Sequence, residues 1–234
     1  MAPKLKPYII ILMKRYIIGI DEVGRGSLAG PVTVVALALP LKLNIKNQIL
    51  KIPRNKKFSL KLRDSKKLSP SQREIWFNII KKQPEIFYAT ANVSPKVIDK
   101  INISQAANLA ATRALKALIK NEPSGDSPTA KTGLRIKNCR IFLDGGLKIN
   151  KDIADSLAAS GYKLKTIIRG DEKISAISLA SIAAKVVRDR YMKKIHKKHP
   201  RYDFINNVGY GTAKHIKALK KFGRSPIHRK SFKT

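Results

Sequence analysis

Tyr16-Ile17-Ile18-Gly19-Ile20-Asp21-Glu22-Val23-Gly24-Arg25-Gly26-Ser27-Leu28-Ala29-Gly30-Pro31 is the stretch whose reading sets the fold class. Residues 16–20 are rich in Ile and Tyr, which suit a covered, pleated surface, so they read as a buried strand. Two acidic residues end that run. A turn with glycines at 24, 26 and 30 follows, as expected where backbone must turn tightly or be approached closely. Residues 31–39 then form a second apolar strand, closed by Pro40.

Downstream, Ser69-Pro70-Ser71-Gln72 spells a helix start. Ser69 is the N-cap, Pro70 takes the first helical position, and Gln72 completes a capping box. Ile75, Trp76, Ile79 and Ile80 give that helix an apolar face. Residues 86–93 are a third strand, and 97–119 carry apolar residues at helical spacing. Residues 140–143 form a strand ending in Asp144-Gly145-Gly146. Residues 163–168 form another, ending in Gly170-Asp171, and 175–198 read as a helix. Strands come first in hairpin style and later alternate with helices. The expected class is α/β: a mixed sheet flanked by helices, closed by a basic helical or loop C-terminal segment. Residues 1–15 read as an N-terminal extension, with Met1 or Met13 as the start, and 16–234 as one domain. Residues 41–63 and 121–138 read as insertions.

The chain has 234 residues, 49 of them Lys or Arg and 15 Asp or Glu, for a formal net charge of +34. A hydrophobic fraction of 43% argues against disorder. The single Cys139 excludes an intramolecular disulfide framework and fits a reducing, cytoplasmic setting. The first apolar run is six residues and is broken by Lys14 and Arg15, too short to span a bilayer, so no membrane role is expected. Such a charge points to a polyanion, above all nucleic acid. A lysine-rich genome would raise the charge as well. From Lys185 onward there are sixteen Lys or Arg against Asp189 and Asp203, and 41–63 holds eight bases and no acid. Charge alone does not separate an enzyme from a non-catalytic binder of ribosomal or architectural character.

The few acids make that separation. Asp21 and Glu22, Asp144, and Asp171 stand at three strand ends, where loops converge and α/β sheets bind ligands. Taken singly, each is an ordinary turn residue. Gathered together, they would repel one another unless a hard cation held them, and Mg²⁺ prefers such oxygen ligands. Paired divalent cations are an apparatus for phosphodiester hydrolysis. Asp189 lies eighteen residues beyond Asp171, most of them helical, so it cannot share their site. Lys185 and Lys193 at i±4 suggest a helix-surface ion pair for it.

The segment from Asp21 to Pro31 closely resembles the signature of ribonuclease HII, the type 2 ribonucleases H. The resemblance extends in order through Asp64-Ser65-Lys66-Lys67-Leu68-Ser69, Asn102-Ile103, Leu143-Asp144-Gly145 and Gly170-Asp171-Glu172-Lys173. It continues through residues 181–190, Gly209-Tyr210-Gly211-Thr212 and His228-Arg229-Lys230-Ser231-Phe232, covering roughly 16 to 232. It implies a ribonuclease H-like fold with a five-stranded mixed sheet. It also implies endonucleolytic cleavage of the RNA strand of RNA–DNA hybrids, and incision 5′ of ribonucleotides embedded in duplex DNA. The products would be 5′-phosphate and 3′-hydroxyl ends, made with Mg²⁺ or Mn²⁺ by a two-metal mechanism. By motif position, Asp21, Glu22, Asp144 and Asp171 match the catalytic carboxylates, Asp171 being the least directly tied to metal. Gly24, Arg25 and Gly26 match a loop sensing the ribose 2′-hydroxyl, and Tyr210 a tyrosine packing on the sugar at the junction. Lys66 is expected at a phosphate.

Some positions depart from the family pattern. Val208 stands where lysine usually precedes the Gly-Tyr pair, so that phosphate contact is either missing or supplied by Lys214, and Gly146 replaces a more usual polar residue. Lys185 reads as a motif residue or a snorkelling surface lysine. The four histidines, His196, His199, His215 and His228, show no zinc spacing and are expected in solvent or near phosphate. Trp76 and Cys139 are expected in the core, and a monomer is the default.

Overall fold

The computed structural model describes residues 15–43, 67–120 and 139–233. The expectations for 1–14, for Asp64 to Lys66, for most of 41–63 and for all of 121–138 lie outside those residues.

Strand β1 (Tyr16–Val23) pairs antiparallel with β2 (Val32–Pro40), and β2 pairs antiparallel with β3 (Phe87–Val93). On its other side β1 lies parallel to β4 (Arg140–Asp144), which lies parallel to β5 (Lys163–Ile167). The five-stranded order is β3-β2-β1-β4-β5, a mixed sheet as expected. β1 runs three residues beyond the expected end, because Asp21, Glu22 and Val23 stay in register with Val35, Val34 and Thr33. Asp21 and Glu22 therefore lie within a central strand, not after it.

Alternation along β1 divides the core. Ile18 and Ile20 face α2 (Pro95–Lys120) with Ala106, Ala110, Ala114 and Leu118. Ile17 and Val23 face α1 (Pro70–Lys82) and α5 (Ser175–Lys198), with Trp76, Ala180 and Ala184. β2 is buried along all nine residues because helices cover both faces. The α1 start is as the sequence spells it: the Ser69 side chain accepts from Gln72 N, and the Gln72 side chain accepts from Ser69 N. Trp76 and Cys139 are buried.

α2 is two helical pieces meeting at Asn102, whose φ of 66° is left-handed. Its Oδ1 accepts from the amides of Ser104 and Gln105, both at 3.0 Å, and so caps the second piece. Four helices had no expected span of their own, two of them longer than a single turn. α3 (Lys151–Ala159) is short, and its signal is the Asn150 cap, which accepts from Ile153 N. After α4 (Gly170–Lys173), α5 and α6 (Phe204–Asn207), α7 (Ala213–Phe222) starts at the Thr212 cap inside a stretch dominated by lysine. The C-terminal segment packs Leu28 and Ala29 of the glycine turn against Met192, Tyr202, Phe204 and Leu219. Among the described residues no helix is long and apolar enough to cross a membrane.

Candidate active site

Ile20 sits opposite Leu143 across the parallel β1–β4 pair, so Asp21 and Asp144 are the next residues on neighbouring strands. Glu22 follows from the other side of the sheet end. Asp21, Glu22 and Asp144 each offer an oxygen within 4.8 Å of the others. Asp171 is not one of these three. It is 2% exposed and sits at the start of α4, behind Asp144, whose Oδ1 accepts from the amide of Gly170 at 2.7 Å.

Burial pushes the Asp21 carboxyl well above the usual carboxylate range, and the charges of Glu22 and Asp144 push it further. The amide of Glu22, donating at 2.8 Å, and Ser181 on α5 oppose that shift. Glu22 is raised as well, chiefly by burial, while Arg25 at 3.2 Å works against it. The Oε2 of Glu22 is buried and has no hydrogen-bond partner. Three close acid groups, two with disfavoured charge and one with an orphaned oxygen, fit a hard divalent cation bound through oxygen.

The glycine turn beside them is fixed from beneath by two fully buried arginines. Arg188 of α5 donates to the carbonyls of Pro31, Ala29 and Val208 and to Ser27 Oγ. Arg229 donates to the carbonyls of Gly30, Arg25 and Gly24. Burial lowers both guanidinium pKa values, that of Arg229 to about 9. Gly24 has φ +87°, and a Cβ there would lie 2.2 Å from Arg188 Nε. Gly26 is different: a Cβ there would meet nothing within 4 Å. Among the described residues no contact demands glycine at 26, so its bareness leaves open space there. Arg25 bridges Glu22 and Ser104 Oγ of α2, each at 3.2 Å.

Tyr210 is 38% exposed, and its ring stands over Arg188 with 5.7 Å from centroid to Cζ. The neighbouring Gly209 carbonyl accepts from the amides of Leu28 and Ala29, tying Tyr210 to the glycine turn. Lys66 lies outside the described residues. Lys185 donates to Ser181 Oγ at 2.9 Å, beside the carboxylates. Asp189 has a cross-helix partner that its own helix does not reveal, Arg73 at 3.4 Å. Lys214 pairs with Asp203 at 2.8 Å, and Val208 contributes its carbonyl to Arg188.

The histidine expectation is corrected for two residues. His215 and His228 are 0% and 3% exposed and meet through Nε2 at 3.0 Å, because Tyr202 and Phe204 enclose them. Arg188 and Arg229 as organising residues were missed also. The signal for Arg188 was its spacing: Ala184, Arg188 and Met192 follow at i+4 along the buried stripe of α5.

A family profile described as ribonuclease HII matches residues 18–234. The chain is 42% identical over 220 residues to the ribonuclease HII of Clostridium beijerinckii, covering 94% of this chain and 68% of that protein. It is 40% identical to the Caldicellulosiruptor bescii ribonuclease HII, covering 93% and 86%. Among solved structures, ribonuclease H2 from Pyrococcus horikoshii OT3 superposes with a TM-score of 0.66 at 24% identity, covering 93% and 94%. The ribonuclease HII of the Archaeoglobus fulgidus PCNA complex superposes at 0.65 and 21% identity, covering 94% and 96%. Bst-RNase HIII, solved with Mn²⁺, gives 0.56 at 17% identity, covering 90% and 71%. These likenesses give the ribonuclease H-like fold. With the sequence matches over nearly the whole described chain, they establish that the chain belongs to the ribonuclease HII family.

Proposed function

We propose that the protein hydrolyses the RNA strand of RNA–DNA hybrids and incises 5′ of ribonucleotides embedded in duplex DNA, leaving 5′-phosphate and 3′-hydroxyl ends. The observation that carries this reading is the juxtaposition of three carboxylates within 4.8 Å with a glycine turn open at Gly26. In this reading Asp21, Glu22 and Asp144 hold the metal, and Asp171 completes the site from behind Asp144. When bound, paired Mg²⁺ or Mn²⁺ ions supply an activated water and charge neutralisation at the attacking and leaving oxygens.

The chain's own residues do the rest. Arg25 orients Glu22 through the 3.2 Å contact and favours its ionised form against the effect of burial. The Gly170 amide fixes one Asp144 oxygen and leaves the other for metal. Arg188 and Arg229 take up the carbonyls of the turn. The backbone of Gly24, Arg25 and Gly26 is thereby held rigid where a ribose 2′-hydroxyl, the group that separates RNA from DNA, approaches. Tyr210 offers a flat ring for the sugar at the ribonucleotide–deoxynucleotide junction. The basic C-terminal segment follows the phosphates, and Lys66 contacts one of them. Residues 16–234 act as one monomeric catalytic domain.

The test is a duplex carrying one ribonucleotide, incubated with Mg²⁺ or Mn²⁺ and resolved beside a continuous hybrid. Cleavage 5′ of the ribonucleotide supports the reading. Cutting of the hybrid alone would limit the protein to hybrid removal, and both substrates uncut under every metal would remove the activity altogether.

A further inference from the structure

The buried histidines form a directed chain that ends on the main chain of Tyr210. The Ser225 amide can only donate, and it points at His228 Nδ1 at 2.9 Å. Ser225 Oγ lies 2.8 Å from the same nitrogen, while the Ser225 carbonyl stands farther off at 3.3 Å. His228 Nδ1 is therefore an acceptor, and its proton sits on Nε2. That Nε2–H donates to His215 Nε2 at 3.0 Å. His215 then carries its proton on Nδ1, aimed at the Tyr210 carbonyl 2.8 Å away. Every ring nitrogen is satisfied with one tautomer each. A second proton on either ring would set N–H against N–H; burial lowers both pKa values, and His215 lowers that of His228 further, in keeping with this.

The position of the chain matters as much as its direction. His228 is followed at once by Arg229, which holds the carbonyls of Gly24 and Arg25. Two adjacent residues thus hold both substrate-facing elements, Tyr210 on one side and the glycine turn on the other. The Tyr210 carbonyl has a second donor, the Thr212 amide at 2.9 Å, so loss of His215 loosens the residue without freeing it.

We propose that His215 and His228 are positioning residues that fix Tyr210 against the glycine turn and so set the preference for a single-ribonucleotide junction over continuous hybrid. This rests on the reading of Tyr210 as the junction residue. The pair touches no reacting atom. It acts only through the main chain of Tyr210.

The experiment measures kcat/KM on a single-ribonucleotide duplex divided by kcat/KM on a continuous hybrid. Tyr210→Ala lowers this ratio about tenfold, the scale of one lost stacking contact. His215→Phe, which fills the box without donating, lowers it about threefold or more, the scale of one hydrogen bond. His215→Asn places an amide N–H where Nδ1–H stood and keeps the ratio within about twofold. Tyr210→Ala/His215→Phe falls no further than Tyr210→Ala, because the pair acts through that residue. A ratio unmoved by His215→Phe while Tyr210→Ala lowers it overturns the positioning role alone. A ratio unmoved by Tyr210→Ala overturns the junction role, and the positioning role falls with it. Imidazole ¹⁵N shifts of the wild-type protein give a check independent of any variant's folding. Protons on His215 Nδ1 and His228 Nε2 are expected, and the reverse tautomers would sink the proposal.

Discussion

Arg229 Nη2 donates to the carbonyl of Gly24 at 2.6 Å across 205 positions of chain. The same guanidinium holds Arg25 and Gly30 by their carbonyls, so one side chain near the C-terminus organises the turn after β1. Arg229→Met leaves three carbonyls without these donors, at a cost of about 3–5 kcal/mol. Arg229→Lys does not restore the set, since an ammonium lacks the planar fork that reaches three separate acceptors. Urea unfolding should show a clear fall in midpoint for both variants. An unchanged midpoint would mean that the turn is held by other contacts.

Gly19 is expected to tolerate no side chain. A Cβ there would lie 2.2 Å from the carbonyl carbon of Ala176 and 2.3 Å from the amide nitrogen of Ile177, both backbone of α5. Gly19→Ala must part β1 from α5, at a cost of about 2–4 kcal/mol. Asp21 lies two residues further along β1 and takes a hydrogen bond from Ser181 on α5. Divalent affinity should therefore drop together with stability, measured by calorimetric Mn²⁺ titration beside urea unfolding. Full stability in the alanine variant would show that strand and helix can separate freely.

The legible parts of the fold were those written in local chemistry. The Ser69 capping box, the β-branched run of β1 and the apolar spacing of α5 each follow from nearest neighbours in sequence. The carboxylates were legible because acids are rare in this chain and stand beside apolar strands. Hidden features depend on contacts between distant segments. The contacts that make Arg229 a core residue come from carbonyls 199 to 205 positions away. The burial of His215 and His228 comes from Tyr202 and Phe204 closing over them, which a basic, polar stretch does not announce. β1 outran its expected length because Asp21 and Glu22 are poor strand formers individually but are carried by pairing with β2.

Asp144→Asn separates chemistry from structure. Asparagine keeps an oxygen for the Gly170 amide, so the contact at 2.7 Å survives and stability without metal should stay within about 1 kcal/mol of wild type. The missing charge removes a metal ligand, and cleavage should fall at least about a hundredfold. Mg²⁺ or Mn²⁺ should raise the melting midpoint of the wild type by mass action and leave that of the variant nearly unmoved, while hybrid binding persists. Chelation of the divalent ion should stop wild-type cleavage and reverse the gain in midpoint. Wild-type cleavage rates in Asp144→Asn would remove Asp144 from the metal site.

His228 should give the protein a stability slope in mild acid. Its pKa falls from 6.5 to about 4 in the folded protein, chiefly through burial and then through repulsion by His215. Between those values the unfolded chain binds a proton that the folded chain refuses. The contribution is therefore complete above pH 6.5 and is lost as pH falls toward 4, reaching about 3 kcal/mol for a shift of this size. The acidic cluster titrates in an overlapping range with the opposite sign, since Asp21 and Glu22 are raised and metal-free stability falls as they ionise. Only a difference isolates the histidine. His228→Gln keeps a donor toward His215 and cannot titrate, so wild type and variant should converge as pH drops from 6.5 to 4 in urea unfolding with chelator present. A gap between them that stays constant over that range would show that His228 takes up its proton in the folded state as readily as in the unfolded chain.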